Sequence, residues 1–145
     1  MKISTKGRYA LRLMIDLAEH DCGEYIPLRD ISERQGISVK YLEQIVTQLS
    51  RAGFLRSVRG AQGGYQLTRS PEQYTAGEIL RITEGDLAPI ACLSGETVQC
   101  PRQEDCTTLE FWKGLHELIN NYVDSVTLDQ FVERHRDKIG GDYCI

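Results

Sequence analysis

Three cysteines, Cys92, Cys100 and Cys106, stand seven and five residues apart in a stretch without helical or strand periodicity. Thiolates are soft ligands, suited to zinc, copper and iron–sulfur clusters. Zinc modules generally use pairs roughly two to four residues apart, so this spacing fits structural zinc poorly. Three thiolates on a pliable loop can wrap an iron–sulfur cluster and leave one position to another ligand. On spacing alone a second reading stands beside it, three loop cysteines that share no ligand. Cys22 and Cys144 lie apart from the others and read as structural or incidental. There is no Cys-x-x-Cys pair and no nucleophile with its base, and His20, His116 and His135 are scattered. Those features argue against an enzyme.

A second set of groups could read nucleic acid. Leu42, Ile45, Val46 and Leu49 recur at helical spacing, which predicts one buried stripe. Lys40, Tyr41, Glu43, Gln44, Thr47, Gln48 and Arg51 fall largely on the other side. Amides, a carboxylate, a hydroxyl and cations are the groups that contact base edges and phosphates. Ser38 sits where an N-cap would take a free backbone N–H. Gly36 offers a left-handed end to a preceding short helix, Leu28–Gln35. Two helices joined by a tight glycine turn, the second carrying such a face, are the pattern of a helix-turn-helix. Phe54 to Arg59 and Tyr65 to Arg69 then read as a hairpin around Gly60-Ala61-Gln62-Gly63-Gly64. Arg56, Arg59 and Arg69 flank that turn, and arginine on a slender loop suits a narrow, negative minor groove. No Gly-Lys-Ser/Thr ending follows, so it is not a phosphate-binding loop of the nucleotide type.

The remaining elements must position these groups. Leu11, Met14, Ile15 and Ala18 predict an amphipathic helix over Gly7–His20, with Arg8, Arg12, Asp16 and Glu19 on its other side. Thr75-Ala76-Gly77-Glu78 is a capping box for a helix from about Ala76 to Glu84, with Tyr74 and Ile79 as the hydrophobic staple. Thr107-Thr108-Leu109-Glu110 opens the longest helix, where Trp112, Leu115, Ile119, Tyr122 and Val126 step by three and four like a coiled-coil seam. Phe111 and Leu118 widen that stripe, which calls for a partner surface. A third box, Thr127-Leu128-Asp129-Gln130, opens a short helix through about Arg134, and Asp137 to Ile145 reads as a loose tail.

At 145 residues, 41% apolar and 26% charged, the composition is that of an ordinary globular chain. No apolar run approaches the roughly 18–20 residues that span a bilayer, and the charged N-terminus does not read as a signal peptide. A cytoplasmic location, with reduced thiols, is the expectation. The net charge of −4 hides a division. Residues 1–70 carry 11 Lys and Arg against 7 Asp and Glu, a net of +4, whereas residues 71–145 carry 6 against 14, a net of −8. The basic half contains the candidate nucleic-acid face.

Several motifs together resemble the IscR, CymR, NsrR and RirA group of bacterial winged-helix transcriptional regulators, over nearly the whole chain. They are Lys6-Gly7-Arg8-Tyr9-Ala10-Leu11, Ile37-Ser38 through Tyr41-Leu42-Glu43-Gln44, Ser57-Val58-Arg59-Gly60 with Gly63-Gly64-Tyr65, and the three spaced cysteines. The resemblance implies a homodimer on double-stranded DNA, with recognition helices in successive major grooves and wings in minor grooves. Carried across, Ser38, Lys40, Tyr41, Glu43 and Gln44 line the major-groove face, with Arg51 on the same helix. Arg59 and Gly60 form the minor-groove tip. Glu43 resembles the glutamate that helps such proteins choose between classes of DNA site.

The resemblance further implies an iron–sulfur cluster, two-iron or four-iron, on Cys92, Cys100 and Cys106. Members of the CymR type lack these cysteines. Leu109 stands where IscR proteins commonly place a histidine ligand, and Arg8 occupies the region where NsrR-like members recruit an aspartate from the partner. The fourth ligand is therefore open among Glu104, Asp105, a small thiol or water. The seven-then-five spacing looks most like the RirA type. The expected fold is mainly α with a small β-hairpin: a winged helix-turn-helix over residues 1–85, a cysteine-bearing loop over 86–106, a dimerisation helix and short following helix over 107–136, and a tail over 137–145. The expected activity is transcriptional regulation, mainly repression, by a cluster that senses iron, cluster status, oxygen or nitric oxide. The alternative is a cluster-free, CymR-like repressor controlled by thiol chemistry or by a regulatory protein partner.

Overall fold

A computed structural model of the chain describes residues 1–98 and 100–143. Its helices are α1 (Thr5–Glu19), α2 (Leu28–Gln35), α3 (Val39–Arg51), α4 (Ala76–Glu84), α5 (Leu109–Ser125) and α6 (Leu128–Tyr143). One antiparallel hairpin, β1 (Leu55–Val58) and β2 (Gly64–Leu67), lies between α3 and α4. Cys144, isolated in the sequence, lies outside the described residues.

The hydrophobic stripe of α1 is the centre of the core. Ala10, Leu13, Met14 and Leu17 are fully buried against α4, α6 and α3, with Ile31, Leu42, Ile45, Leu49, Ile79 and Leu128 completing the cluster. Ser4 caps α1 by accepting from the Gly7 N–H at 3.2 Å, so the helix starts slightly earlier than its apolar period predicts. Asp16, expected on the solvated side, is fully buried. It accepts from Arg34 Nη2 at 2.7 Å and from Gln35 Nε2 at 2.9 Å, which ties α1 to the end of α2. Burying a carboxylate is tolerated only with such charge-assisted partners. The Asp16 hydrogen bond in turn holds the Arg34 guanidinium above its ordinary pKa.

The capping box before α4 forms reciprocally: Glu78 N–H donates to Thr75 Oγ1 at 3.1 Å, and Thr75 N–H to Glu78 Oε2 at 3.0 Å. The box expected at Thr107 does not form. Thr108 occupies the cap of α5 with a helical backbone and no side-chain hydrogen bond. The box at Thr127 is half made, with Thr127 N–H donating to Gln130 Oε1 at 3.3 Å while the Thr127 hydroxyl meets Asp129 instead. α6 continues past Arg134 to Tyr143, beyond its predicted end. Its first turns bury Leu128 and Val132 in the core. That anchoring supports a helix whose later residues are mostly polar.

α5 divides its apolar residues between two sides. Val126 is buried, and Trp112, Leu115 and Ile119 are half-buried, on a helix that lies against α4. Phe111, Leu118 and Tyr122 are 65–69% exposed. Arg81 of α4 fixes the crossing by gripping Asp124 at 2.6 Å and Asn120 at 2.8 Å. Among the described residues no helix is long and apolar enough to cross a membrane.

Candidate nucleic-acid interface and cysteine loop

The turn between α2 and α3 works because Gly36 adopts φ 66°, a left-handed conformation that a Cβ disfavours. Its N–H closes α2 on the Ser32 carbonyl at 2.9 Å. Two residues later Ser38 Oγ accepts from Tyr41 N–H at 3.2 Å and starts α3. Leu42, Ile45, Val46 and Leu49 bury that helix. Ser38, Lys40, Glu43, Gln44, Thr47 and Arg51 are left exposed on it. Tyr41 is half-buried, its ring edge-on to Tyr9 of α1 at 5.5 Å, so it also sets the seating of α3. Gln48 turns partly inward, and its Oε1 is buried without a hydrogen-bond partner.

The wing has register Leu55↔Leu67 through Val58↔Gly64. Its loop closes by a Gly63 N–H bond to the Gly60 carbonyl at 3.0 Å, leaving Arg59 and Gly60 at an exposed tip. A third piece of chain stiffens its base: Ile26 and Tyr65 exchange backbone hydrogen bonds of 2.9 and 2.8 Å. Gly64 is needed there, since a Cβ would collide with the backbone of Ile26 and Pro27.

Two of the arginines flanking the wing are committed elsewhere. Arg56 donates to Gln66 Oε1 at 2.9 Å across the hairpin. Arg69 lies over the rings of Phe54 and Tyr74, 4.7 and 5.1 Å from their centroids, and pairs with Glu78 at 3.5 Å. Tyr74, the staple residue of the sequence pattern, is fully buried. Its hydroxyl donates to the Phe54 carbonyl at 2.8 Å and accepts from the N–H groups of Thr68 and Arg69 at 2.9 and 3.0 Å. It thereby bolts the wing to the helical core, a role for which Tyr rather than Phe at this position is the only sequence signal.

The cysteines lie on the connection from α4 to α5. Cys92 is exposed in a single 3-10 turn, Ala91–Leu93, whose Leu93 anchors it to the core. Cys100 is half-buried and Cys106 exposed, and turns at residues 100–105 include Gln103 N–H to the Cys100 carbonyl at 3.1 Å. The Cys106 sulfur is 3.5 Å from the Thr108 hydroxyl. Hydrogen bonds from the Thr108 side chain and backbone, with the charge of Arg102, hold its pKa below the ordinary thiol value. Among the described residues no three His, Cys, Asp or Glu side chains converge as a metal site. The donors nonetheless fit a thiophilic group: three accessible thiols on one connection, one already biased toward the thiolate that ligates.

A helix-turn-helix seated on α1, followed by a stiffened hairpin with a cationic tip, makes this a winged-helix protein of the DNA-binding kind. Residues 3–134 match the Rrf2 family, described as "Iron-dependent Transcriptional regulator". The chain is 37% identical to the HTH-type transcriptional regulator IscR of Pectobacterium carotovorum over 91% of its length and 79% of the relative's. It is 39% identical to the HTH-type transcriptional regulator CymR of Bacillus subtilis over 89% and 88%. Among solved structures it resembles B. subtilis CymR, titled the global cysteine regulator, with TM-score 0.76, 36% identity, and 92% and 98% of the two chains covered. T. potens IscR is similar at TM-score 0.74 and 35% identity, covering 95% and 90%. The chain belongs to the Rrf2 family of transcriptional regulators. Its family is one of DNA-binding regulators, not enzymes.

Proposed function

We propose that this regulator is a homodimer, acting mainly as a repressor, whose operator affinity is set by an iron–sulfur cluster on Cys92, Cys100 and Cys106. The observation that carries this reading is the placement of the three thiols. They occupy the connection from α4 to α5, so any group that gathers them orders that connection. When bound, such a cluster supplies a cross-link sensitive to iron supply and oxidants. Glu104, Asp105, a small thiol or water completes its ligands. Ser38, Lys40, Tyr41, Glu43, Gln44 and Arg51 face the major groove, and Arg59 and Gly60 enter the minor groove. Phe111, Leu118 and Tyr122, exposed on α5, meet the same residues of a second copy. Dimerisation brings two heads to successive half-sites.

The similarity to CymR supports a second reading, in which thiol chemistry or a partner protein controls DNA binding without a cluster. Purification without oxygen from iron-replete cells separates the two. The expected result is a coloured protein with stoichiometric iron and sulfide, and loss of both in Cys100→Ala. A colourless protein under those conditions would sink the cluster reading and leave DNA binding standing.

A further inference from the structure

A cleft opens where α1, the end of α2 and α6 meet, away from the wing and the cysteine connection. It is an open groove of about 450 Å³, with Arg12 and Ile15 from α1 and Phe131, Arg134 and Lys138 from α6 lining it. A second hollow of about 390 Å³ adjoins it, and Glu19, Gln35 and His135 line both. Three cations thus line the groove with the half-buried Ile15 and Phe131 as its apolar part. The one carboxylate of the first hollow, Glu19, is engaged by His135 of α6. The concentration of charge is local. Residues 71–145 are acidic overall, yet Arg134, Arg136 and Lys138 on α6 are three of their six Lys and Arg residues.

A concave site with an apolar floor and a few convergent polar groups is the common form of a small-molecule site. We infer that this cleft binds a small organic anion, a carboxylate carrying an apolar body, between Arg12, Arg134 and Lys138. The cations hold the carboxylate, and Ile15 and Phe131 take the apolar part. Arg134 already lies over the Phe131 ring at 5.8 Å, which orients it along the cleft wall. Occupancy reaches the reading head through Arg12. Its guanidinium also holds the Gln35 carbonyl and, at 3.1 Å, Gln35 Oε1. Gln35 is the last residue of α2, one step before the Gly36 turn into α3. A carboxylate that draws on Arg12 therefore competes with the contact that seats the helix-turn-helix. The site is independent of any cluster on the cysteine connection.

The test is titration of the full-length protein with phenylacetate, followed by amide nitrogen–proton NMR correlation spectra. Shifts are expected at Arg12, Ile15, Glu19, Gln35 and Phe131 to Lys138, with Kd of about 1 mM for so small a probe. Acetate lacks the apolar body and phenylacetamide lacks the charge, so both should bind at least about fivefold more weakly. Arg134→Ala with Lys138→Ala, both on the exposed side of α6, should weaken phenylacetate binding by a similar factor while the spectrum stays dispersed. Ile15→Trp, which fills the groove, gives a second route to the same loss. Equal binding of phenylacetamide, shifts that map elsewhere, or none at about 10 mM would overturn the inference.

Discussion

Arg59 and Tyr74 show how differently two residues of one wing act. Arg59 is exposed at the tip, and the proposed interface gives it DNA as its partner. Arg59→Ala should therefore leave the melting temperature unchanged and weaken operator binding by about 1 kcal/mol, or five- to tenfold in Kd. It should also make the salt dependence shallower by about one unit of log–log slope. A filter-binding series across salt concentrations checks both, and unaltered affinity would remove Arg59 from the interface. Tyr74 is fully buried. Tyr74→Phe leaves the Phe54 carbonyl and the Thr68 and Arg69 N–H groups without their common partner. That should cost about 1–3 kcal/mol of stability, read by urea denaturation. Arg69, although it follows the wing strand, is held over Phe54 and Tyr74 and belongs to the same bolt.

Among the described residues, α5 carries the largest group of exposed apolar side chains, Phe111, Leu118 and Tyr122. It gives its half-buried side to α4, and Arg81 locks the crossing on Asp124 and Asn120. The guanidinium is held above its ordinary pKa chiefly by the Asp124 hydrogen bond. The opposite side leaves Phe111, Leu118 and Tyr122 exposed, the surface that the proposed dimer would cover. Leu118→Glu should give a folded monomer in sedimentation equilibrium, with operator affinity reduced by at least about tenfold because the two half-sites are no longer linked. A Leu118→Glu protein that remains dimeric would move the interface away from α5.

At the scale of the whole molecule, the N- and C-terminal thirds of the chain share one core. α6 returns from α5 to α1 and places Leu128, wholly buried, beside residues of the reading head. Leu128→Ala should cost about 2–5 kcal/mol by thermal or urea unfolding. It should lower DNA binding only through the unfolded fraction, leaving affinity per folded molecule intact. The same closure places both ends of the cysteine connection on braced elements. The head is braced by the Asp16 network and by Tyr74, and α5 is braced by Arg81.

Local patterns in the chain were sufficient for the helix-turn-helix and the hairpin, but not for the division of α5, where Trp112, Leu115 and Ile119 of the expected seam turn half-buried on a helix against α4 and Phe111, Leu118 and Tyr122 stay exposed. A left-handed glycine, an N-cap serine and helical periodicity act over a few residues and do not depend on distant partners. The three cysteines were likewise legible as candidate ligands by type and spacing. What the residues could not declare was where polar side chains find their partners. Asp16 looks like a solvated residue until α2 brings Arg34 and Gln35 onto it, and Arg69 looks like a DNA contact until Phe54 and Tyr74 lie beneath it. The missing cap at Thr107 and the continuation of α6 to Tyr143 have the same origin. Capping and helix length are marginal quantities of about 1 kcal/mol, and packing against the core overrides them. Only the tertiary structure decides those pairings, because they join residues far apart in the chain whose proximity no local pattern encodes.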